Sequence, residues 1–284
     1  MQTVFIESIK KIIKKHGTGY YRATFLFPKK IREEVWTLYT FLRLADEIVD
    51  TQTDVTLASK ELTAWQEEWT SVLAGKRQED TYAIFREMKV LHDAHHIPHE
   101  YSEVFLECMK QDLSVARYAT YADLEKYMYG SAVIVGYMMS HIIGFADGAL
   151  PHARALGEAM QITNFLRDVR EDYELRNRIY IPEEDMKKFG VTEDHIKNHI
   201  VDGAWIALMR YQIDRARMLY VQGNAGIALL DKKGRKAIFA ASRIYEGILG
   251  KIEQQNYDVF TKRTTVNPFT KTLILIKTLC NNNL

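Results

Sequence analysis

Apolar residues recur every three to four positions along nearly the whole chain, and hardly any stretch alternates as a half-buried strand would. Only five prolines and fifteen glycines punctuate the 284 residues, so long stretches run uninterrupted. The pattern predicts helices over 3–15, 29–50, 56–74, 80–95, 99–117, 121–147, 152–175, 183–188, 192–222, 232–255 and 268–280. Pro28, Pro98, Pro151 and Pro182 fall near predicted helix starts, where a missing N–H is tolerated. No internal repeat, low-complexity tract or Gly/Ser/Pro-rich linker divides the chain. The reading is a single all-α domain over residues 1–284.

Ser131 to Ala149 is the longest apolar stretch, but Ser140, His141 and Asp147 interrupt it. It therefore reads as a buried helix and not as a membrane span. Glu7 and a run of lysines follow Met1 too closely for the apolar region of a signal peptide. Apolar residues make up 47% of the chain, enough for a sizeable core. The net charge of +1 provides no global field for nucleic acid, which is excluded as a partner. Cys108 and Cys280 lie in no metal-ligand or Cys-x-x-Cys spacing, which points to a reducing, cytoplasmic setting.

Two aspartate pairs carry the chemistry. Asp46 and Asp50 stand four residues apart on one predicted helix, and Asp168 and Asp172 repeat the spacing on another. Four residues is one helical turn, so each pair stacks two like charges on one face. That costs stability unless a cation lies between them, and Mg²⁺ prefers such hard oxygen ligands together with phosphate. The first stripe continues backward through Arg43, Tyr39 and Trp36, a pocket wall that is apolar at one end and acidic at the other. The second reads Gly157, Gln161, Asn164, Asp168, Asp172. There Gly157 would leave room, and Asn164 and Gln161 would offer neutral oxygens or amide donors beside the acids.

Cations should accompany a diphosphate. Arg43 shares the face of Asp46, Arg167 precedes Asp168, and Arg178 follows in Arg178-Ile179-Tyr180-Ile181-Pro182. His16, Lys15, Arg117 and Arg263 are further candidates. A di-iron bundle would need Glu-x-x-His pairs on two helices, which the sequence does not offer. His92, His95, His96 and His99 read as a solvated histidine-rich turn before Pro98.

With these residues in hand, the chain resembles the squalene/phytoene synthase family over roughly residues 10–265. Asp46-Glu47-Ile48-Val49-Asp50, preceded by Trp36, Tyr39 and Arg43, looks like the family's first aspartate-rich motif. Asn164 to Asp172, followed by Arg178 to Pro182, looks like the second. Tyr127-Met128-Tyr129-Gly130-Ser131-Ala132-Val133-Ile134-Val135-Gly136 resembles the Tyr-x-Tyr-x-x-Ala segment that lines the prenyl tunnel, and Tyr245 and Arg263 resemble the family's C-terminal contributions. One departure is His16-Gly17-Thr18-Gly19-Tyr20, where many members have His-Ser-x-Ser-Phe; two hydroxyl contacts to a diphosphate are lost there.

The resemblance implies a helical bundle of the isoprenoid-synthase type around a central prenyl tunnel. It implies head-to-head condensation of two allylic diphosphates through a cyclopropyl diphosphate. Asp46, Asp50, Asn164, Asp168 and Asp172 would hold Mg²⁺, or Mn²⁺ in its place, with Arg43 and Tyr39 beside them at the reacting centre. His16, Tyr20, Thr24, Trp36, Tyr127, Ser131, Ala132, Val135, Gln161, Asn164, Arg167, Arg178, Tyr245 and Arg263 would bind substrate. The family's reductase members usually end in a membrane anchor; none is visible here, and the expectation is a reaction without NADPH. Where thirty-carbon producers carry a large aromatic, this chain has Thr24. The expectation is thus a deeper tunnel, geranylgeranyl diphosphate as substrate and phytoene as product. Squalene or dehydrosqualene formation from farnesyl diphosphate is the alternative, and an inactive scaffold of the same fold is the non-enzymatic one. Oligomeric state is left open. The greasy substrates make peripheral membrane contact a candidate, with the helix bearing Phe5, Ile9, Ile12 and Ile13 as one place for it.

Overall fold

The computed structural model describes residues 18–51, 54–76, 82–281 and 284; for Thr18 to Tyr20 and Thr51 it describes the backbone alone. The expected helix 3–15, Lys15 and His16 lie outside the described residues.

The chain folds into helices α1 (Thr18–Thr24), α2 (Lys29–Thr51), α3 (Val55–Leu73), α4 (Ala83–His95) and α5 (His99–Gln111). Next come α6 (Tyr121–Met128), a π-helical turn (Tyr129–Val133), α7 (Ile134–Ile143) and α8 (Ala149–Arg176). Then follow α9 (Glu183–Phe189), α10 (Glu193–Lys197), α11 (Gly203–Ala225), a 3₁₀ turn (Gly226–Leu229), α12 (Lys232–Gln254) and α13 (Pro268–Leu279). Among the described residues there is no strand, only isolated bridges between Arg117 and Ile179 and between Phe145 and Leu230. No described helix is long and apolar enough to cross a membrane.

Helix α2 shows how pattern becomes packing. Its first turns carry Lys29–Glu33 and Lys30–Glu34 pairs at i,i+4, which support the solvated face. Ile31, Val35, Leu38, Leu42, Ala45 and Val49 follow at alternating steps of three and four, and all are buried. This stripe packs α2 on α3, α4, α5 and α7. Its flanking stripe, bearing the acids, is left facing α8. Helix α8 is apolar on several sides at once, with Ala155, Ala159, Ile162, Phe165 and Leu166 all buried, as befits a helix surrounded by neighbours. It packs against the π turn, α7, α11 and α12. At Gly223 of α11, a Cβ would lie 2.7 Å from that of Leu156, so only glycine allows this approach.

Tertiary contacts cut three predicted helices short. The stretch 99–117 stops being helical at Gln111 because the backbone beyond it pairs elsewhere. Ile179 N–H donates to Ala116 O, and Glu183 and Glu184 N–H donate to Tyr118 and Ala119 O, at 2.9–3.1 Å. The stretch 121–147 contains the π turn and ends at Gly144, whose φ of 92° leaves the helix. The stretch 192–222 breaks after Lys197; His199 takes a φ of 54°, and Asp202 accepts Trp205 N–H at 2.9 Å to cap a new helix. Helix α1 and the 3₁₀ turn were not predicted.

Candidate active site

The acidic stripes of α2 and α8 face each other, and arginines fill the space between them. Arg43 bonds Asp46 one turn on, reaches Glu47 Oε1 at 3.4 Å and lies 3.8 Å from Asp50 Oδ2. Arg176, the last residue of α8, donates to both oxygens of Asp50 at 2.8 and 2.9 Å and lies 3.5 Å from Asp172 Oδ1. Asp168 is held from two sides. Arg167 bonds it from the adjacent position, and Arg263, from the segment after α12, donates at 2.8 and 3.0 Å.

These environments push the carboxyls apart in acidity. Burial, and next the neighbouring Asp50, raise Asp46 from the ordinary 3.8 to about 7. Burial and then Asp168 raise Asp172 to about 7 as well. Burial also pushes Asp168 upward, but hydrogen bonds from Arg167 and Arg263 outweigh it and hold this acid below its usual range. A divalent cation suits this donor set. All the groups are hard oxygens, and the buried Oδ1 of Asn164 has no hydrogen-bond partner among the described residues. Among those residues no three Asp, Glu, His or Cys side chains converge at metal-holding distance, and Arg43 and Arg176 supply positive charge between the acids.

A largely apolar cavity lies next to the acidic stripes, its lining reaching Asn164 one turn before Asp168. Tyr39, Gln161, Asn164, Ser131 and Tyr245 are among its polar lining residues. Asn164 Nδ2 donates to Gln161 Oε1 at 3.3 Å, and Gln161 Nε2 to Ser131 Oγ at 3.4 Å. Val35, Leu38 and Leu42 of α2, Ala132, Val135, Ile143, Ile227 and Leu230 contribute apolar lining. Burial lifts the phenols of Tyr39 and Tyr245 above their ordinary value, so both keep their protons.

Several expectations need correction. Thr24 does not line this cavity. It is fully buried, donating to Tyr21 O at 2.7 Å and accepting from Trp36 Nε1 at 3.0 Å, so it fastens α1 to α2. Trp36 is likewise outside the lining and stacks on Tyr21, with centroids 5.7 Å apart. Tyr127 is buried behind the wall, where its hydroxyl donates to Asp112 Oδ2 at 3.0 Å. Arg178 donates to Asp112 O at 2.5 Å and is also outside the lining. Arg117 pairs with Glu193 at 3.0 Å, away from the acid pairs. Gly157 does line the cavity, but its bare Cα chiefly admits the π turn: a Cβ would lie 2.9 Å from Ala132 O. Of Tyr20 the backbone alone is described. The histidine turn is not fully solvated either: His92 is buried, with Nδ1 3.1 Å from Ile97 O, and His95 lies 3.3 Å from Glu34.

Two residues escaped sequence reasoning. Arg176 was legible, since it continues the α8 stripe one turn beyond Asp172. Asp112 carried no signal, because it reads as the polar end of a helix. It is buried, one oxygen has no described partner, and burial raises it to about 6 against the pull of Arg178. It joins the Tyr127 segment to the loop after α8, where Phe165 and Tyr180 stack at 4.1 Å.

Comparison with known proteins places this geometry. The squalene/phytoene synthase family model matches residues 13–270. A 15-cis-phytoene synthase from a Synechocystis species is 32% identical over 285 residues, spanning 95% of this chain and 82% of that one. A phytoene synthase from Thermus thermophilus is 34% identical over 271 residues, spanning 95% and 91%. The crystal structure of a ligand-bound dehydrosqualene synthase superposes with a TM-score of 0.87 at 28% identity, covering 96% of this chain and 95% of that one. A squalene synthase from Alicyclobacillus acidocaldarius gives 0.79 at 25% identity, covering 89% and 94%.

Proposed function

The chain belongs to the squalene/phytoene synthase family and is a prenyltransferase, and we propose that it joins two geranylgeranyl diphosphates head to head to give phytoene. The observation that carries this reading is the opposition of Asp46 and Asp50 to Asp168 and Asp172, on the same two helices that line an apolar cavity. Relatives named phytoene synthase support the twenty-carbon substrate.

Mg²⁺, or Mn²⁺, held by Asp46, Asp50, Asp168, Asp172 and Asn164, would supply Lewis-acid stabilisation of a departing diphosphate. The chain's own residues do the rest. Arg43 and Arg176 present guanidinium groups to the leaving oxygens, and Tyr39 and Tyr245 keep protons with which to hydrogen-bond them. The wall of Val35, Leu38, Leu42 and Val135 excludes water from the allylic cation. The second substrate's double bond attacks that cation, and loss of a first proton closes the three-membered ring, giving cyclopropyl prephytoene diphosphate. A second ionisation opens the ring, and loss of a proton closes the sequence as a central triene, with no hydride donor required.

The test is direct. Purified protein is given geranylgeranyl or farnesyl diphosphate, with and without NADPH and EDTA, and the hexane extract is examined. The expected result is a forty-carbon triene that is independent of NADPH and abolished by EDTA. Likeness to a dehydrosqualene synthase supports a second reading, a thirty-carbon product from farnesyl diphosphate. That product would keep the mechanism and change the substrate. No product from either would favour the scaffold.

A further inference from the structure

Helix α13 is apolar on two opposite sides. Ile274 and Leu275 pack inward against the cluster of Ala23, Ala240, Ala241 and Ile244, and Ala241 itself lines the cavity. Phe269, Leu273 and Ile276 turn outward, 80%, 41% and 53% exposed. At the helical angle per residue they fall, with exposed Cys280, within an arc of about 60°. Single exposed apolar side chains are ordinary, but a row along one face marks an interaction surface.

Charge says what that surface meets. From Thr264 to Asn281 the chain carries Lys271 and Lys277 and no acidic residue. Lys277 is exposed at the edge of the apolar row. Lys236 Nζ reaches Leu279 O at 2.8 Å, and Arg22 approaches Pro268 O at 3.5 Å, so cations flank both ends of the helix. An apolar row bordered by cations fits the boundary between the acyl chains and headgroups of an anionic bilayer. A protein partner offering an apolar groove would not by itself explain the one-signed border.

We propose that the outer face of α13 rests on an anionic lipid bilayer, with Phe269, Leu273 and Ile276 at the acyl boundary and Lys277 among the headgroups. The same helix covers cavity-wall residues with its inner face, so one element separates the cavity from lipid. The use made of this contact, loading and unloading of prenyl chains, rests on the reaction proposed above; the contact itself does not.

The full chain is floated with phosphatidylcholine vesicles, with and without phosphatidylglycerol. Binding is expected with the anionic vesicles and is weakened by salt. Phe269→Ser/Leu273→Ser/Ile276→Ser should partition at least about tenfold more weakly at an unchanged melting temperature, and Lys277→Glu should bind anionic vesicles several-fold more weakly. Should the triple variant not fold, Leu273→Trp replaces it: quenching by lipids brominated on the acyl chains supports the proposal, and absence of quenching overturns it. A wild-type chain that floats with neither vesicle, or a folded triple variant that floats as well as wild type, overturns it too. So does a wild-type dimer that the triple variant makes monomeric without any flotation, which would assign the face to a second copy.

Discussion

Arg176 of α8 clamps Asp50 of α2 through two parallel hydrogen bonds of 2.8 and 2.9 Å. The residues are 126 positions apart in the chain, yet they directly link the two aspartate helices. A planar guanidinium meeting both oxygens of a carboxylate fixes orientation as well as distance. The clamp therefore sets the spacing of the acid pairs before any cation arrives.

Arg176→Lys keeps the charge and loses the fork. Turnover should fall at least about tenfold with a smaller change in KM, because the geometry for charge developing in the transition state is lost. Arg176→Gln should cost about 3 kcal/mol of stability, since Asp50 then loses both of its close hydrogen bonds and Asp172 its nearest cation, leaving only the more distant Arg43 beside Asp50. Added Mg²⁺ should recover part of that loss. Thermal unfolding with and without Mg²⁺ tests this, and an Arg176→Gln melt equal to wild type in EDTA would contradict it.

Thr24→Val conserves volume and removes the hydroxyl that bridges Tyr21 and Trp36. Loss of about 1–3 kcal/mol is expected, because Trp36 Nε1 is left buried without its partner. The distribution of products by chain length should not move. A shift in that distribution would place Thr24 on the tunnel after all.

A methyl group added at Gly157 would stand 2.9 Å from Ala132 O, a backbone atom that cannot turn aside. Gly157→Ala should destabilise the fold by about 1–3 kcal/mol. It should also push Ser131 away from Gln161 and lower activity more than stability alone accounts for. Gly75→Ala, whose Cβ would meet nothing, controls for general effects; its cost should come only from its positive φ.

Burial lowers His92 from the ordinary 6.5 to about 4. Below pH 6.5 the unfolded chain binds a proton that the folded chain refuses, so this group's stability is present above about 6.5 and is lost as pH falls toward 4. The contribution is about 3 kcal/mol at most. The difference between wild-type and His92→Phe stability, followed by urea titration across this window, should show that slope. A flat difference would mean the ring is protonated in the native state.

Much of the candidate site was legible because its grammar is local. Asp46, Asp50, Asp168 and Asp172, and the wall positions Ser131, Ala132 and Val135, stand where helical spacing alone would group them. What misled was contact between distant segments. Thr24 was placed at a tunnel by family resemblance, but its hydroxyl accepts from Trp36. The stretch after Gln111 keeps a helical pattern, yet its carbonyls are taken by residues 179–184.

By itself the sequence determined which residues share a helix face and hence which acids lie together, since a turn of 3.6 residues is set by backbone geometry. Only the tertiary structure decided that Arg176 reaches Asp50, that Asp112 lies buried beneath Tyr127, and that the outer face of α13 is left apolar. Those outcomes depend on how closely and at what angle separate helices approach. That is set by the summed fit of many side chains and of bare positions such as Gly157 and Gly223, and no short window of sequence contains it.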